Sequence, residues 1–196
     1  MTSHPSFNEA RERVLHAAED LFAQKGYAAV TLREIAARAG IHHSSVYHHV
    51  PAGKEALYVE VTERIFARHQ AGLTDAIRHA DQAVQAQLYA VADWLLSQPP
   101  MDQIRLTYSD MPALSASSTQ RLADLGYTAM IVPVAQVLDS AQQRGEIVYD
   151  DLDLAAGGLI GMIESLYGVT EHDAGKTRRA MAHKLIDLLL DGMRTR

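Results

Sequence analysis

Residues 31–54 read TLREIAARAGIHHSSVYHHVPAGK, and their reading decides the fold. Thr31 followed three positions on by Glu34 is a capping box, in which each side chain satisfies a backbone N–H that the first helical turn leaves unpaired. Val30 before the cap and Ile35 inside the helix add a hydrophobic staple. Leu32, Ile35, Ala36 and Ala39 then recur at helical spacing, and the alanines leave room for a second helix to pack close. Gly40 ends this helix, because glycine takes the left-handed conformation of a helix C-terminus without steric cost. Residues 43–49 form the second short helix. Val46 and Val50, four apart, face inward, which leaves His43, Ser44, Ser45, Tyr47 and His48 pointing out. Two short helices joined by a sharp turn are the pattern of a helix-turn-helix.

A helix face of hydroxyl, imidazole and phenol groups is suited to base edges and phosphate oxygens, which such donors and acceptors read. Local charge agrees. Residues 21–54 hold Lys25, Arg33, Arg38 and Lys54 against the single acid Glu34, on a chain of net charge −6. Most of the acidic excess lies beyond residue 60, where twelve Lys and Arg face seventeen Asp and Glu. An acidic body behind a basic head is compatible with DNA binding and predicts a modest salt dependence.

Four blocks, Phe22-Ala-Gln-Lys-Gly-Tyr27, Thr31 to Ala36, Ala39-Gly40 with Tyr47-His48-His49, and Lys54-Glu55-Ala56-Leu57, stand in an order and spacing that resembles the N-terminal DNA-binding domain of TetR-type transcriptional regulators. The resemblance covers about the first quarter of the chain. It implies an all-α protein of about nine helices: a three-helix DNA-binding domain over residues 1–53, and an effector-binding and dimerisation domain over residues 54–196. It implies a homodimer on a palindromic operator, most simply a repressor released by a small, largely apolar effector. Carried over by position, Thr31 and Arg33 approach phosphates, His43, Ser44 and Ser45 meet base edges, and Tyr47, His48 and Lys54 hold the DNA backbone. His42 stands where the family commonly places a serine or similar cap. The competing expectation is a TetR-like DNA-binding or protein-interaction module without an effector.

Along the chain, Ser6 and Glu9 form another capping box, opening a helix with Val14, Leu15, Ala18, Leu21 and Phe22 on one face and Gly26 at its end. A long amphipathic helix follows over residues 53–80, with His69 inside its apolar stripe. Val84, Leu88, Val91 and Leu95 mark the next, with Trp94 beside the stripe and Pro99-Pro100 ending it. Met101, Ile104, Tyr108 and Met111 share one face of a brief helix, and residues 117–144 form a helix kinked by Pro133. The expected effector surface comprises His69, Trp94, Met101, Arg105, Tyr108, Met111, Tyr127 and Met130: aromatic and thioether groups with a few polar anchors, as small-molecule pockets usually have. The last two helices, residues 151–169 and 174–193, carry the expected dimer interface: Ala155, Gly158, Gly161 and Met162 on the first, Met181, Leu185, Leu188 and Leu189 on the second. The small residues cost helix propensity and point to close approach of another backbone.

Other classes find little support. The chain has no cysteine, which removes disulfides and thiolate metal sites. His42, His43, His48 and His49 diverge around one short helix with no acid to complete a ligand set, so no metal is expected. Nucleophile elbows, HExxH pairs and glycine-rich phosphate loops are absent, so neither catalysis nor a cofactor is expected. No apolar run approaches the roughly 18 residues of a membrane helix, and the expected location is cytoplasmic.

Overall fold

The computed structural model describes residues 7–170 and 177–193 of the 196-residue chain. Ser6 and residues 174–176, expected to open the first and last helices, lie outside the described residues. Among those described there are helices and no strands, and the all-α expectation holds. The chain divides into two compact units, residues 1–65 with 102–123, and residues 66–101 with 124–196. The long helix α4 (Gly53–His79) contributes its first half to one and its second half to the other.

In the first unit, α1 (Phe7–Ala29), α2 (Leu32–Ala39) and α3 (His43–His49) pack with the start of α4. Val14, Ala18, Val30, Ile35, Ala36, Val46 and Leu57 are each at most 2% exposed, so the apolar stripes read from sequence converge on one core. The end expected at Gly26 is a break within α1, where this residue has φ 78° and ψ 169°. The capping box is formed: Thr31 Oγ1 accepts from Glu34 N at 3.2 Å, and Glu34 Oε2 accepts from Thr31 N at 2.9 Å. Lys25 at 2.9 Å and then Thr31 hold the Glu34 carboxyl down at about 2. A depressed carboxylate stabilises the fold above its ordinary range, so this contribution fades as pH falls toward 2. Gly40, at φ 66°, sends its N–H to the carbonyls of Ala36 and Ala37 and turns the chain into α3. Replacing Thr31 by alanine is expected to cost about 1 kcal/mol. Serine should restore most of that in thermal melting, and an alanine variant as stable as the wild type would exclude the cap as a support.

Residues 102–123 complete this unit. They run through a three-residue turn, α6 (Gln103–Arg105), a π turn (Leu106–Asp110) and a 3-10 turn (Met111–Ala113) into α7 (Ala116–Gly126). The brief helix expected here is thus mostly wide and tight turns. Ser115 Oγ and Ser118 Oγ both donate to Glu55 of α4, at 2.6 and 2.7 Å.

In the second unit, α5 (Val84–Ser97) packs against α8 (Val132–Gln143), α9 (Leu152–Ser165) and α10 (Arg178–Met193). Leu88, Val91, Leu95, Val134, Leu138, Leu159, Ile160, Ile163 and Ile186 are at most 1% exposed and form its core. The helix expected over 117–144 is α7 and α8 joined by a π turn, Tyr127–Ile131. Pro133 offers no N–H to the carbonyl four residues back, and the widened turn just before it accommodates that loss. Trp94 packs directly against Gly72, where an added Cβ would fall 1.9 Å from the indole. Tyr89 stacks on His183 at 3.9 Å, and His183 Nε2 lies 2.9 Å from Asp93, which fixes α10 against α5.

Candidate nucleic-acid interface

The site is built on α3, whose inward anchors are Val46, fully buried, and Val50. This seven-residue helix is started by a side chain: His42 Nδ1 accepts from Ser44 N at 3.4 Å and lies 2.8 Å from Ser44 Oγ. An imidazole here does what a serine cap does, and it also orients the Ser44 hydroxyl. The sequence placed His42 at the cap without showing that its ring would make the bond.

His43, Ser44, Tyr47 and His48 are exposed, and Ser45 is half-buried. Tyr47 is 52% exposed, and the His43 ring meets it edge-on at 5.6 Å between centroids. His49 turns inward, and burial pushes its imidazole below the usual range. The two histidines assigned to DNA are therefore those on the open face. On α2, Arg33 is exposed, while the Thr31 hydroxyl is engaged with Glu34. Lys54 sits differently from the simple expectation of a phosphate contact. Its Nζ donates to the carbonyls of Tyr27 (3.0 Å) and Val30 (3.1 Å) and lies 4.2 Å from the centroid of the Tyr27 ring. Here the ammonium ties the α1–α2 joint to the start of α4. Arg13 Nε adds a second tie, donating to the Ala39 carbonyl at 3.1 Å.

The expected effector residues are divided between the units. His69 and Met130 are buried, Trp94 and Met101 are half-buried, and Tyr127 is exposed with its hydroxyl donating to Asp153 at 2.9 Å; all five belong to the second unit. Arg105, Tyr108 and Met111 belong to the first, where Tyr108 is 80% exposed. A cleft of about 300 Å³ in the second unit is lined instead by Thr74, Arg78, Gln82, Gln136 and Arg144 among others. It is more polar than the pocket expected.

On α9, Gly158 and Gly161 are exposed, with nothing within 4 Å of an added Cβ, and the nearby Leu154 is 72% exposed. On α10, Leu188 is 69% exposed, with Met181, Leu185 and Leu189 half-buried. Among the described residues no group of three or more His, Asp or Glu could hold a metal, and no helix is long and apolar enough to cross a membrane.

Residues 14–61 match the profile of the family described as bacterial regulatory proteins, tetR family. The HTH-type transcriptional regulator LmrA of Bacillus subtilis (strain 168) is 37% identical over 60 residues, which are 31% of this chain and 32% of LmrA. The match thus spans only about a third of LmrA's length. The HTH-type transcriptional repressor Rv3405c of Mycobacterium tuberculosis is 26% identical over 171 residues, covering 79% of this chain and 89% of the relative. Among solved structures, that of AibR in complex with isovaleryl coenzyme A and operator DNA has a TM-score of 0.75 at 17% identity, over 92% of this chain and 98% of AibR. That likeness is one of fold: a helix-turn-helix head with a C-terminal helical domain.

Proposed function

We propose, from the premise that this chain is a TetR-family DNA-binding transcriptional regulator and not an enzyme, that it acts as a homodimeric repressor released from a palindromic operator by a small effector. The observation that carries the DNA-binding part is the open polar face of α3, capped by His42 and held on the buried Val46 and Val50. In this reading residues 1–53 are the reading domain. His43, Ser44 and Ser45 meet base edges, and Thr31, Arg33, Tyr47 and His48 meet phosphates. Lys54 joins them if it exchanges a carbonyl for a phosphate. Residues 54–196 bind the effector and dimerise.

The open face of α9 and α10 supports a dimer: exposed leucines beside uncovered glycines are what a second copy buries. Two copies would present two α3 helices to successive major grooves roughly 34–36 Å apart. AibR, with isovaleryl coenzyme A and operator DNA in one complex, supports the effector part. His69, Trp94 and Met130 are the side chains in the second unit that we assign to it. A hundredfold loss of operator affinity would need about 2.7 kcal/mol of differential effector binding. A cytoplasmic location belongs with this reading.

Selection of bound duplexes from a random pool, with sizing of the complex, tests the proposal. A palindrome bound by a dimer is expected, and Tyr47→Phe should bind it about tenfold more weakly through loss of one phosphate hydrogen bond. A folded protein that enriches nothing overturns the regulator reading. An unchanged Tyr47→Phe overturns that contact alone.

A further inference from the structure

The break in α1 is closed by side chains from 82 and 83 positions away. With Gly26 at φ 78°, the N–H of Tyr27 leaves the helix and donates to Asp110 Oδ1 at 2.8 Å. The carbonyl that this N–H would meet in an unbroken helix, that of Ala23, accepts from Arg105 Nη2 at 2.7 Å, and the same nitrogen lies 3.3 Å from the Phe22 carbonyl. A carboxylate and a guanidinium thus replace the two halves of one helical hydrogen bond. They are also paired, Arg105 Nε lying 3.6 Å from Asp110 Oδ2. Asp110 is 4% exposed and, beside this ion pair, takes a second hydrogen bond, from the Tyr58 hydroxyl of α4 at 3.1 Å. Around it Tyr58 packs edge to face on both Phe22 and Tyr27, with ring centroids 4.9 and 5.0 Å apart. At Gly26 an added Cβ would meet Asp110 Oδ1 at 3.0 Å and Arg105 Cδ at 3.2 Å.

The segment that carries these two residues is tied at its C-terminal end by Ser115 and Ser118 to Glu55 and by Thr119 to the Met111 carbonyl, and ahead of these the clasp is its polar tie to α1. Its turns are the three-residue α6, the π turn and the 3-10 turn, forms with poorer hydrogen-bond geometry than a regular helix. Ile104 is 74% exposed and Tyr108 80%, so apolar burial contributes little there. In sequence the segment is bracketed by stretches of the second unit, which end at Met101 and resume at Asp124. A carboxylate clasp on a weakly packed segment can be let go without dismantling the core of α1, α2 and α3.

We propose that Asp110 and Arg105 are positioning residues for operator binding: their clasp fixes the angle at which α2 and α3 leave α1, and opening it lowers operator affinity while the head stays folded. The inference rests on the DNA-binding reading above. Neither residue touches DNA; each acts through the Gly26–Tyr27 joint.

The test uses full-length protein and the duplex that the wild type selects from the random pool. Asp110→Ala and Arg105→Gln should each weaken binding by about tenfold or more, within the roughly 5- to 150-fold range of coupled sites. Asp110→Asn, which can still accept from Tyr27, should lose less. Amide exchange supplies the readout that general damage would not give: residues 27–30 should exchange about tenfold faster, with residues 14–21 as protected as in the wild type. Arg105 is half-buried, so its variant keeps the test open should Asp110→Ala fail to fold. Wild-type affinity in either folded variant overturns the proposal, as does deprotection spread evenly over α1–α4. A wild type that enriches no duplex removes the DNA-binding reading itself, and this inference with it.

Discussion

Leu188→Glu is expected to yield a folded monomer that binds the operator about 100- to 10,000-fold more weakly than the wild type. Leu188 is 69% exposed within one protomer, and substitutions at such positions usually shift stability by no more than about 0.5 kcal/mol. In the proposed dimer the same side chain is covered by the second copy, so glutamate would bury an unpaired charge in an apolar seam, once from each protomer. Separating the heads removes the effective concentration that links two half-sites, which is worth about 10²–10⁴ in affinity. Light scattering of the free protein and titration of the selected duplex measure both effects. A variant that remains a dimer would place the seam away from this end of α10.

Gly72→Ala carries the largest stability effect. Its Cβ would stand 1.9 Å from the Trp94 ring, 2.1 and 2.4 Å from two further indole carbons, so the whole side chain must move within a packed unit. Overpacking of this kind costs about 2–3 kcal/mol, which for a chain of this size lowers the melting temperature by about 5–10 °C. Trp94→Phe removes the ring atoms that clash. The double variant should therefore melt well above the sum of the two single losses, a coupling that a mutant cycle reads directly. A Gly72→Ala protein melting within about 1 °C of the wild type would mean that the indole is free to swing aside.

The helix-turn-helix was legible because its signals are local. Thr31 and Glu34, Gly40, and the inward pair Val46 and Val50 act over at most four residues, and each does in the structure what its spacing implies. Pro133 was legible as a disturbance but not as a π turn, because a missing N–H does not dictate how the preceding carbonyls regroup. Lys54 reads from its position as a contact to the DNA backbone. Its two carbonyl partners, Tyr27 and Val30, lie 27 and 24 positions away and become available only where α1 ends. Asp110 was missed altogether, since a single acid among Tyr108, Ser109 and Met111 has no periodicity, and its partners are set by tertiary structure. The effector set drew on aromatic and thioether content, and content does not say which way a side chain points. Tyr108, 80% exposed, shows the difference.

The discontinuity of the first unit bears on synthesis. All the residues assigned to DNA lie before position 55, yet the unit that holds them takes in residues 102–123. At roughly 5–20 residues per second, a growing chain needs about 3–12 s after residue 65 before residue 123 is added. For most of that interval, until residue 110 is added, the Tyr27 amide and the Ala23 carbonyl lack Asp110 and Arg105. The nascent head therefore reaches its final geometry only once residues 102–123 have been added, and a fragment cut at residue 65 would carry every reading side chain on an unfinished frame.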